Sequence, residues 1–197
     1  MIIADVERIM AAHRPQLRTA DDRHCAAVAA IFNEGSEGLR LLFIERAKRE
    51  SDPWSGHLAF PGGRIEEDDS GPRVAAERET LEEIGLDLRS ADHLGRLDDV
   101  VGTSLPILVS GFVYGVERPG RFELSDEVRD AFWVRVEDLI DPERHVERIF
   151  SYRGWEEALP AIDLLGPDRP VLWGLTYRLV TQFLHLMGYE IPQMPDS

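Results

Sequence analysis

The sequence is short of cysteine, of long apolar runs and of basic charge, and each shortage excludes a class of protein. Cys25 is the only cysteine in 197 residues, so no disulfide can form within the chain. No run of about 18 apolar residues occurs, which leaves no candidate for a membrane span. The N-terminus lacks the basic and then apolar stretches of a secretory signal. These absences predict a cytoplasmic protein that has no membrane partner.

Basic residues are outnumbered, with 22 Lys and Arg against 37 Asp and Glu, and the net charge is −15. Such a surface repels nucleic-acid backbones, so we expect no polymeric nucleic acid as a partner. It also repels a small anionic substrate. The phosphates of such a substrate would need metal ions and a local set of arginines in order to bind. The length and the 43% hydrophobic content are those of one folded domain.

The hydrophobic pattern predicts a single α/β domain in which helices cover both faces of a mixed sheet. Apolar strands are predicted at 24–33 and 39–46, a helix at 71–84, and a final amphipathic helix at 170–187. The predicted organisation has three parts: an N-terminal helix and lead-in at 1–20, the main domain at 21–190, and a flexible tail at 191–197.

The helix predicted at 71–84 carries a cluster of carboxylates. Offsets of three and four residues place Glu79, Glu82 and Glu83 on one helical face, within about 100° of each other. We expect the opposite, buried face to hold three apolar residues: Val74, Leu81 and Ile84. Like charges at this spacing repel, so the cluster calls for a counter-charge. A divalent cation that prefers oxygen ligands, Mg²⁺ or Mn²⁺, fits this requirement and is a common device for chemistry on phosphates.

Residues 60–86, FPGGRIEEDDSGPRVAAERETLEEIGL, resemble the Nudix box, whose common form is G-x5-E-x7-R-E-U-x-E-E-x-G-U with U bulky and aliphatic. The half from Arg78 to Leu86 fits, except that Thr80 fills one U position. The acidic position of the first half is Asp69, and eight residues instead of seven separate it from Arg78. This longer spacing is similar to that of the coenzyme A diphosphatase branch. The resemblance implies a Nudix α-β-α sandwich over nearly the whole chain.

The same resemblance assigns a divalent ion to three carboxylates of the helix: Glu79, Glu82 and Glu83. It adds the backbone carbonyl of Gly62 as a further ligand. Arg78 lies four residues before Glu82 and is expected to pair with a ligand carboxylate and orient it. The implied reaction is the addition of water across a P–O–P bond, with the ion lowering the pKa of the water.

The general base of that reaction has three candidates. Within the box, Glu82 or Glu83 is expected to act through the metal-bound water. Outside it, relatives often supply a further Glu from a loop after the central strands, and Glu127 in the stretch FELSDEV is the candidate here. An ordinary surface glutamate near a turn is the alternative interpretation of Glu127.

A second signature precedes the box in coenzyme A diphosphatases, roughly L-L-T-x-R-[SA]-x3-R-x3-G-x3-F-P-G-G. Arg46 with Ala47, and Gly56 through Gly63, resemble its two ends, although Arg46 lies one residue further from Gly56 than expected. The second Arg of the signature falls on Asp52, with Arg49 nearby. Coenzyme A or an acyl form is therefore the first substrate expected. ADP-ribose, a nucleotide sugar or a nucleoside triphosphate are the alternatives.

Three further residues around the box are candidates for contacts with a small nucleotide substrate. Trp54 is suited to stack on a base, and His57 to donate to a phosphate or to transfer a proton. Arg64 follows the Gly-Gly turn within reach of a phosphate. A structural histidine and a solvated arginine are the alternatives. A non-catalytic nucleotide sensor is the competing function, but such proteins usually lack a box carboxylate. Dimers are common among the proteins that the box resembles, so a homodimer is a further expectation.

Overall fold

The computed structural model describes residues 1–48, 56–102, 105–152 and 155–191. Within these ranges the α-helices are α1 Ile3–Ala12, α2 Pro72–Ile84, α3 Val136–Ile140 and α4 Gly174–Leu186. The strands are β1 His24–Gly35, β2 Gly38–Arg46, β3 Leu58–Ala59, β4 Gly62–Arg64, β5 Asp92–Arg96, β6 Val100–Val101, β7 Ile107–Gly115, β8 Val128–Arg135, β9 His145–Tyr152 and β10 Trp155–Ile162.

Eight of the described strands form one mixed sheet. Its main path runs β3-β2-β1-β7-β5, while β4, β6 and β8 pair with β1, β7 and β2. The long central strands β1 and β7 are parallel, and β1 pairs with β2 as an antiparallel hairpin. Strands β9 and β10 form a separate antiparallel hairpin. The sheet therefore places the ends of β2, β8 and β4 near one another.

Helices cover both faces of this sheet. On one face Ala75, Ala76 and Ile84 of α2 are buried in a cluster with apolar residues of β1 and β2. On the other face Val6 of α1 and Phe183 of α4 lie in a second buried cluster. The predicted α-β-α sandwich is confirmed.

The alternation of side chains along β2 determines what each face receives at the end of the strand. Leu41 and Phe43 belong to the cluster under α1 and α4, whereas Leu42 and Ile44 belong to the cluster under α2. Successive strand residues point to opposite faces. Glu45 therefore belongs to the α4 face, and the next residue, Arg46, to the α2 face.

Helix α2 begins with Pro72 at its first position and ends at Gly85, whose φ of 71° is left-handed. Its buried side differs from the predicted one: Ile84 is buried, but Leu81 is 42% exposed. Small and polar residues take the place of the expected large ones, namely Ala75, Ala76, Thr80 and Glu83. The hydroxyl of Thr80 donates to the carbonyl of Ala76, which satisfies it without water. The predicted apolar face was wrong because the helix packs closely through small side chains.

The final helix also begins later than predicted, at Gly174 instead of 170. Leu172, just before it, exchanges both backbone hydrogen bonds with Ile162, the last residue of β10. The chain is therefore extended where the sequence pattern predicted the first helical turn. Between β2 and α2 the described residues form two short strands, β3 and β4.

Candidate active site

The turn before α2 is held tightly against the central strand. Gly62 has a φ of +145°, and a Cβ at this position would lie 2.6 Å from the Cα of Val28. Only glycine fits there. The Gly62 N–H donates to Oε2 of Glu83 at 2.9 Å. This bond connects the turn to the last turn of the box helix.

Glu83 is a buried carboxylate, only 3% exposed. Burial raises the pKa of Glu83 to about 7, against the opposing effects of the Gly62 N–H and the Arg46 guanidinium. The Nη1 atom of Arg46 lies 3.8 Å from Oε1 of Glu83. The side chain predicted to bind substrate is thus adjacent to the side chain predicted to bind metal.

Glu79 lies directly over the second glycine of the turn. A Cβ built on Gly63 would be 2.5 Å from each carboxylate oxygen of Glu79. Burial raises the pKa of Glu79, and the guanidinium of Arg78 partly counters this effect. Glu82 is more open, with its side chain 59% exposed. The absence of a side chain at Gly63 is what allows Glu79 to occupy this place.

Arg78 contacts both of these carboxylates. Its Nη1 lies 3.1 Å from Oε1 of Glu79 and 3.0 Å from Oε2 of Glu82. Its other nitrogens are held by Asp69, with Nε–Oδ1 and Nη2–Oδ2 distances of 3.1 Å. Nη2 also donates to the carbonyl of Arg64 at 3.1 Å. Asp69 therefore fixes the orientation of the arginine that contacts two of the predicted metal ligands.

Asp69 stands where the common box has Glu, and its side chain is only 4% exposed. Hydrogen bonds from Arg78 lower the pKa of Asp69, so it is ionised at neutral pH. The backbone N–H of Glu66 donates to its Oδ2 at 2.8 Å. At the longer spacing, the shorter acidic side chain thus accepts two hydrogen bonds from the Arg78 guanidinium.

Glu127, the candidate base, is exposed and lies in the loop directly before β8. Its negative charge raises the pKa of both Glu79 and Glu83, which places its carboxylate near these two. Its carbonyl accepts a hydrogen bond from the N–H of Ala47 at 2.8 Å. The loop that carries it is bound to the end of α2, because the N–H of Ser125 donates to the carbonyl of Glu83.

The remaining predicted substrate contacts are placed differently. Arg64 is exposed, and its carbonyl binds Arg78 as described above. His57 packs edge-on against Trp173, with ring centroids 5.0 Å apart, and its carbonyl accepts from the N–H of Arg46. Arg49 and Trp54 lie outside the described residues.

The carboxylates fit a divalent cation in their chemistry. Glu79, Glu83 and Glu127 repel one another in a partly buried place, which a hard cation with oxygen ligands would relieve. Within the described ranges, no group of three or more His, Cys, Asp or Glu side chains converges closely enough to hold an ion. Glu79 and Glu82 point instead to Arg78. The ligand set therefore remains a prediction.

Comparison with known proteins decides the family. The model of the NUDIX domain matches residues 22–153. The chain belongs to the Nudix hydrolase family. Members of this family act on small nucleotide substrates and generally use divalent metal ions. The Nudix box and the fold predicted from it are therefore confirmed.

Curated relatives share modest identity with this chain. An uncharacterized protein of Schizosaccharomyces pombe is 41% identical over 61% of this chain and 39% of its own length. The peroxisomal coenzyme A diphosphatase of Caenorhabditis elegans is 26% identical, over 72% of this chain and 61% of the relative. The mitochondrial coenzyme A diphosphatase of Mus musculus is 27% identical, over 79% and 77%. The chain spans 39% to 54% of the length of the first three curated relatives that it matches.

A solved structure supports the fold alone. The MutT/nudix family protein of Enterococcus faecalis has a TM-score of 0.54 at 16% identity, covering 89% of this chain and 65% of that one. Among the described residues, no helix has the length and apolar character that crossing a membrane requires.

Sequence reasoning missed two arginines, Arg129 and Arg169, that bind one carboxylate at the end of β2. The one signal for them in the sequence was Glu45, an acidic residue that closes the apolar run LRLLFIER. Nothing in the sequence indicated which cations would reach it.

Proposed function

We propose that this Nudix protein hydrolyses the diphosphate bond of a nucleoside diphosphate derivative in a reaction that depends on Mg²⁺ or Mn²⁺. The observation that carries the proposal is the buried Glu83, held by the Gly62 N–H and flanked by Arg46, beside Glu79. Coenzyme A or acyl-coenzyme A is the first candidate substrate. The Asp69 spacing and two relatives named coenzyme A diphosphatases support this choice.

In this proposal the box carboxylates and the Gly62 carbonyl hold the ion. When bound, the ion would polarise the diphosphate oxygens and lower the pKa of the attacking water. Arg78, itself fixed by Asp69, keeps Glu79 and Glu82 in place. Glu127 takes the proton from the water, since it is exposed beside the buried pair.

The cations of the site neutralise the substrate. Arg46 has its guanidinium next to Glu83, so a phosphate bound through the ion would also reach Arg46. Arg64 is exposed on the other side of the Gly-Gly turn. His57, which packs edge-on against Trp173, is proposed as a further donor to the substrate.

A hydrolysis assay tests the proposal. It compares kcat/KM for coenzyme A, acyl-coenzyme A, ADP-ribose, a nucleotide sugar and nucleoside triphosphates, each with Mg²⁺, with Mn²⁺ and with excess chelator. We expect coenzyme A to give phosphopantetheine and adenosine 3′,5′-bisphosphate, and chelator to stop turnover. Preference for another substrate would leave the proposed reaction in place and overturn coenzyme A as the substrate. Full activity in excess chelator would contradict the metal dependence.

Two variants complete this test. Glu82→Gln should abolish metal-dependent turnover and keep the fold, because the side chain is 59% exposed. The matched control is Glu67→Gln, an exposed glutamate of the preceding loop, which should retain wild-type kcat/KM. Nucleotide binding without turnover of any substrate by the wild type would favour a sensor.

A further inference from the structure

A carboxylate with no exposed surface closes β2 and binds two arginines. Glu45 is 0% exposed. Its Oε1 accepts from Nη1 of Arg129 at 2.7 Å, and its Oε2 accepts from Nη2 of Arg169 at 2.9 Å. Arg129 comes from β8, and Arg169 from the segment between β10 and α4. Three distant parts of the chain thus meet at one charged group.

A bulge in β8 brings Arg129 to this group. Asp130 pairs with Glu45 and Val128 pairs with Arg46, which leaves Arg129 as the extra residue between them. Simple alternation would place Arg129 on the face of Ala131, which packs in the α2 cluster. The bulge turns it to the opposite face, where Glu45 lies. A bulge next to a catalytic site commonly redirects a side chain in this way.

Glu45 and Arg129 lie at the same end of the sheet as the candidate active site. Glu45 directly precedes Arg46, whose guanidinium contacts Glu83, and Arg129 follows Glu127 by two residues. The two groups occupy opposite faces of the last residues of β2. A nucleotide with its diphosphate at Glu83 would need to extend past the end of β2 in order to meet Arg129 and Arg169.

The charges of the cluster do not cancel. The three side chains that these hydrogen bonds join carry a net charge of +1, in a chain whose net charge is −15. The arginine side chains are 55% and 40% exposed. Within the described ranges, each guanidinium gives a hydrogen bond to Glu45 and to no other residue. A guanidinium has five N–H donors, so Glu45 uses only part of the donor capacity of each arginine.

We propose that Arg129 and Arg169 form a second anion site, which binds a phosphomonoester of the substrate remote from the scissile diphosphate. Two planar guanidinium groups held side by side match the oxygens of a phosphate. Glu45 is the positioning residue that keeps them together. The inference rests on the proposed function and narrows it: coenzyme A carries such a group on its 3′ position, whereas ADP-ribose and nucleotide sugars do not.

The test compares coenzyme A with 3′-dephospho-coenzyme A in wild type, Arg129→Gln and Arg169→Gln. The wild type should prefer coenzyme A, and each variant should reduce the ratio of the two kcat/KM values by about tenfold or more, through KM. Arg135→Gln is the matched control, because Arg135 lies on the same strand, is 45% exposed and binds Asp138. It should leave the ratio unchanged. An unchanged ratio in both site variants would overturn the proposal. Glu45 and its two arginines would then only link the segment before α4 to the sheet.

A binding measurement separates this inference from the reaction. Calorimetry in chelator compares adenosine 3′,5′-bisphosphate with adenosine 5′-monophosphate, and the wild type should bind the bisphosphate more tightly. The site variants should remove that difference. If no substrate is hydrolysed but the binding difference follows the arginines, the proposed reaction fails and the anion site stands. If substrates are hydrolysed and the arginine substitutions change neither the kcat/KM ratio nor the difference in binding, the anion site fails and the reaction stands.

Thermal melting shows whether each variant is folded before it is assayed. Should a glutamine variant not fold, Arg129→Lys and Arg169→Lys keep the positive charge against Glu45 and lose the planar fork. We expect these variants to show a smaller but measurable fall in both the kcat/KM ratio and the difference in binding. Wild-type ratios in both lysine variants would count against the proposal.

Discussion

Replacing Gly63 with alanine should displace one predicted metal ligand and leave the fold intact. The φ of Gly63 lies outside the left-handed region, so its backbone accepts an alanine. The new Cβ would lie 2.5 Å from both Glu79 oxygens, about 1 Å inside an ordinary contact. The end of a glutamate side chain can rotate away, so we expect less than about 1 kcal/mol of lost stability. A displacement of about 1 Å at a catalytic group costs on the order of 10²-fold in rate.

The assay measures kcat/KM with the best substrate of the panel, over a range of Mg²⁺ concentrations, together with the melting temperature. We expect a fall of roughly 10² in kcat/KM with little change in melting temperature. The control is Gly71→Ala, since a Cβ on Gly71 would have no neighbour within 4 Å. If Gly63→Ala keeps wild-type kcat/KM and wild-type metal dependence, Glu79 does not need its present place, and its assignment as a ligand is wrong.

Three other substitutions follow from the charges of the site. Glu83→Gln should stabilise the metal-free protein above pH 7. Burial raises the pKa of Glu83 from 4.5 to about 7, so ionising this carboxyl in the folded protein costs up to about 3 kcal/mol. This cost is absent below pH 4.5 and complete above pH 7, so urea unfolding in chelator at pH 4.5 and pH 8 measures it. Asp69→Asn should lose about 2 kcal/mol at pH 7, because an amide cannot accept both Arg78 bonds. Since Arg78 lowers the pKa of Asp69, the difference from wild type should shrink as the pH falls below about 4. Glu127→Gln should lower kcat by 10²-fold or more if Glu127 is the base, whereas the exposed Glu123→Gln should not.

Each of these expectations has an outcome that contradicts it. If Glu83→Gln raises the free energy of unfolding equally at pH 4.5 and pH 8, the buried charge is not the source of the stabilisation. A pH-independent loss in Asp69→Asn would mean that packing, not the ion pair with Arg78, accounts for it. Equal kcat values for Glu127→Gln and Glu123→Gln would return the role of base to the box itself.

The local rules predicted α2 well at its ends and poorly at its buried face. Pro72 and Gly85 act on the backbone next to them, so the sequence alone indicates where the helix begins and ends. The face that is buried depends on what the sheet presents. Apolar character favoured Leu81 for the core, but a close approach of helix and sheet favours small residues such as Ala75 and Ala76.

The candidate site divides in the same way. The motif indicated the carboxylates of α2 and the arginine beside them, because these residues lie within two helical turns of one another. It could not indicate that Asp69 binds Arg78 at two points, since this depends on the path of the loop between them. Glu45 and Arg169 are 124 residues apart, and only the assembled sheet brings them together.

The shared position of Arg78 has a consequence for how the protein responds to its surroundings. Its guanidinium lies among Asp69, Glu79 and Glu82 and supplies positive charge to a helix face that would otherwise repel itself. The domain therefore carries part of its counter-charge within the fold, and we expect the metal-free protein to stay folded. On this expectation a divalent ion would control turnover without being needed to keep the domain folded.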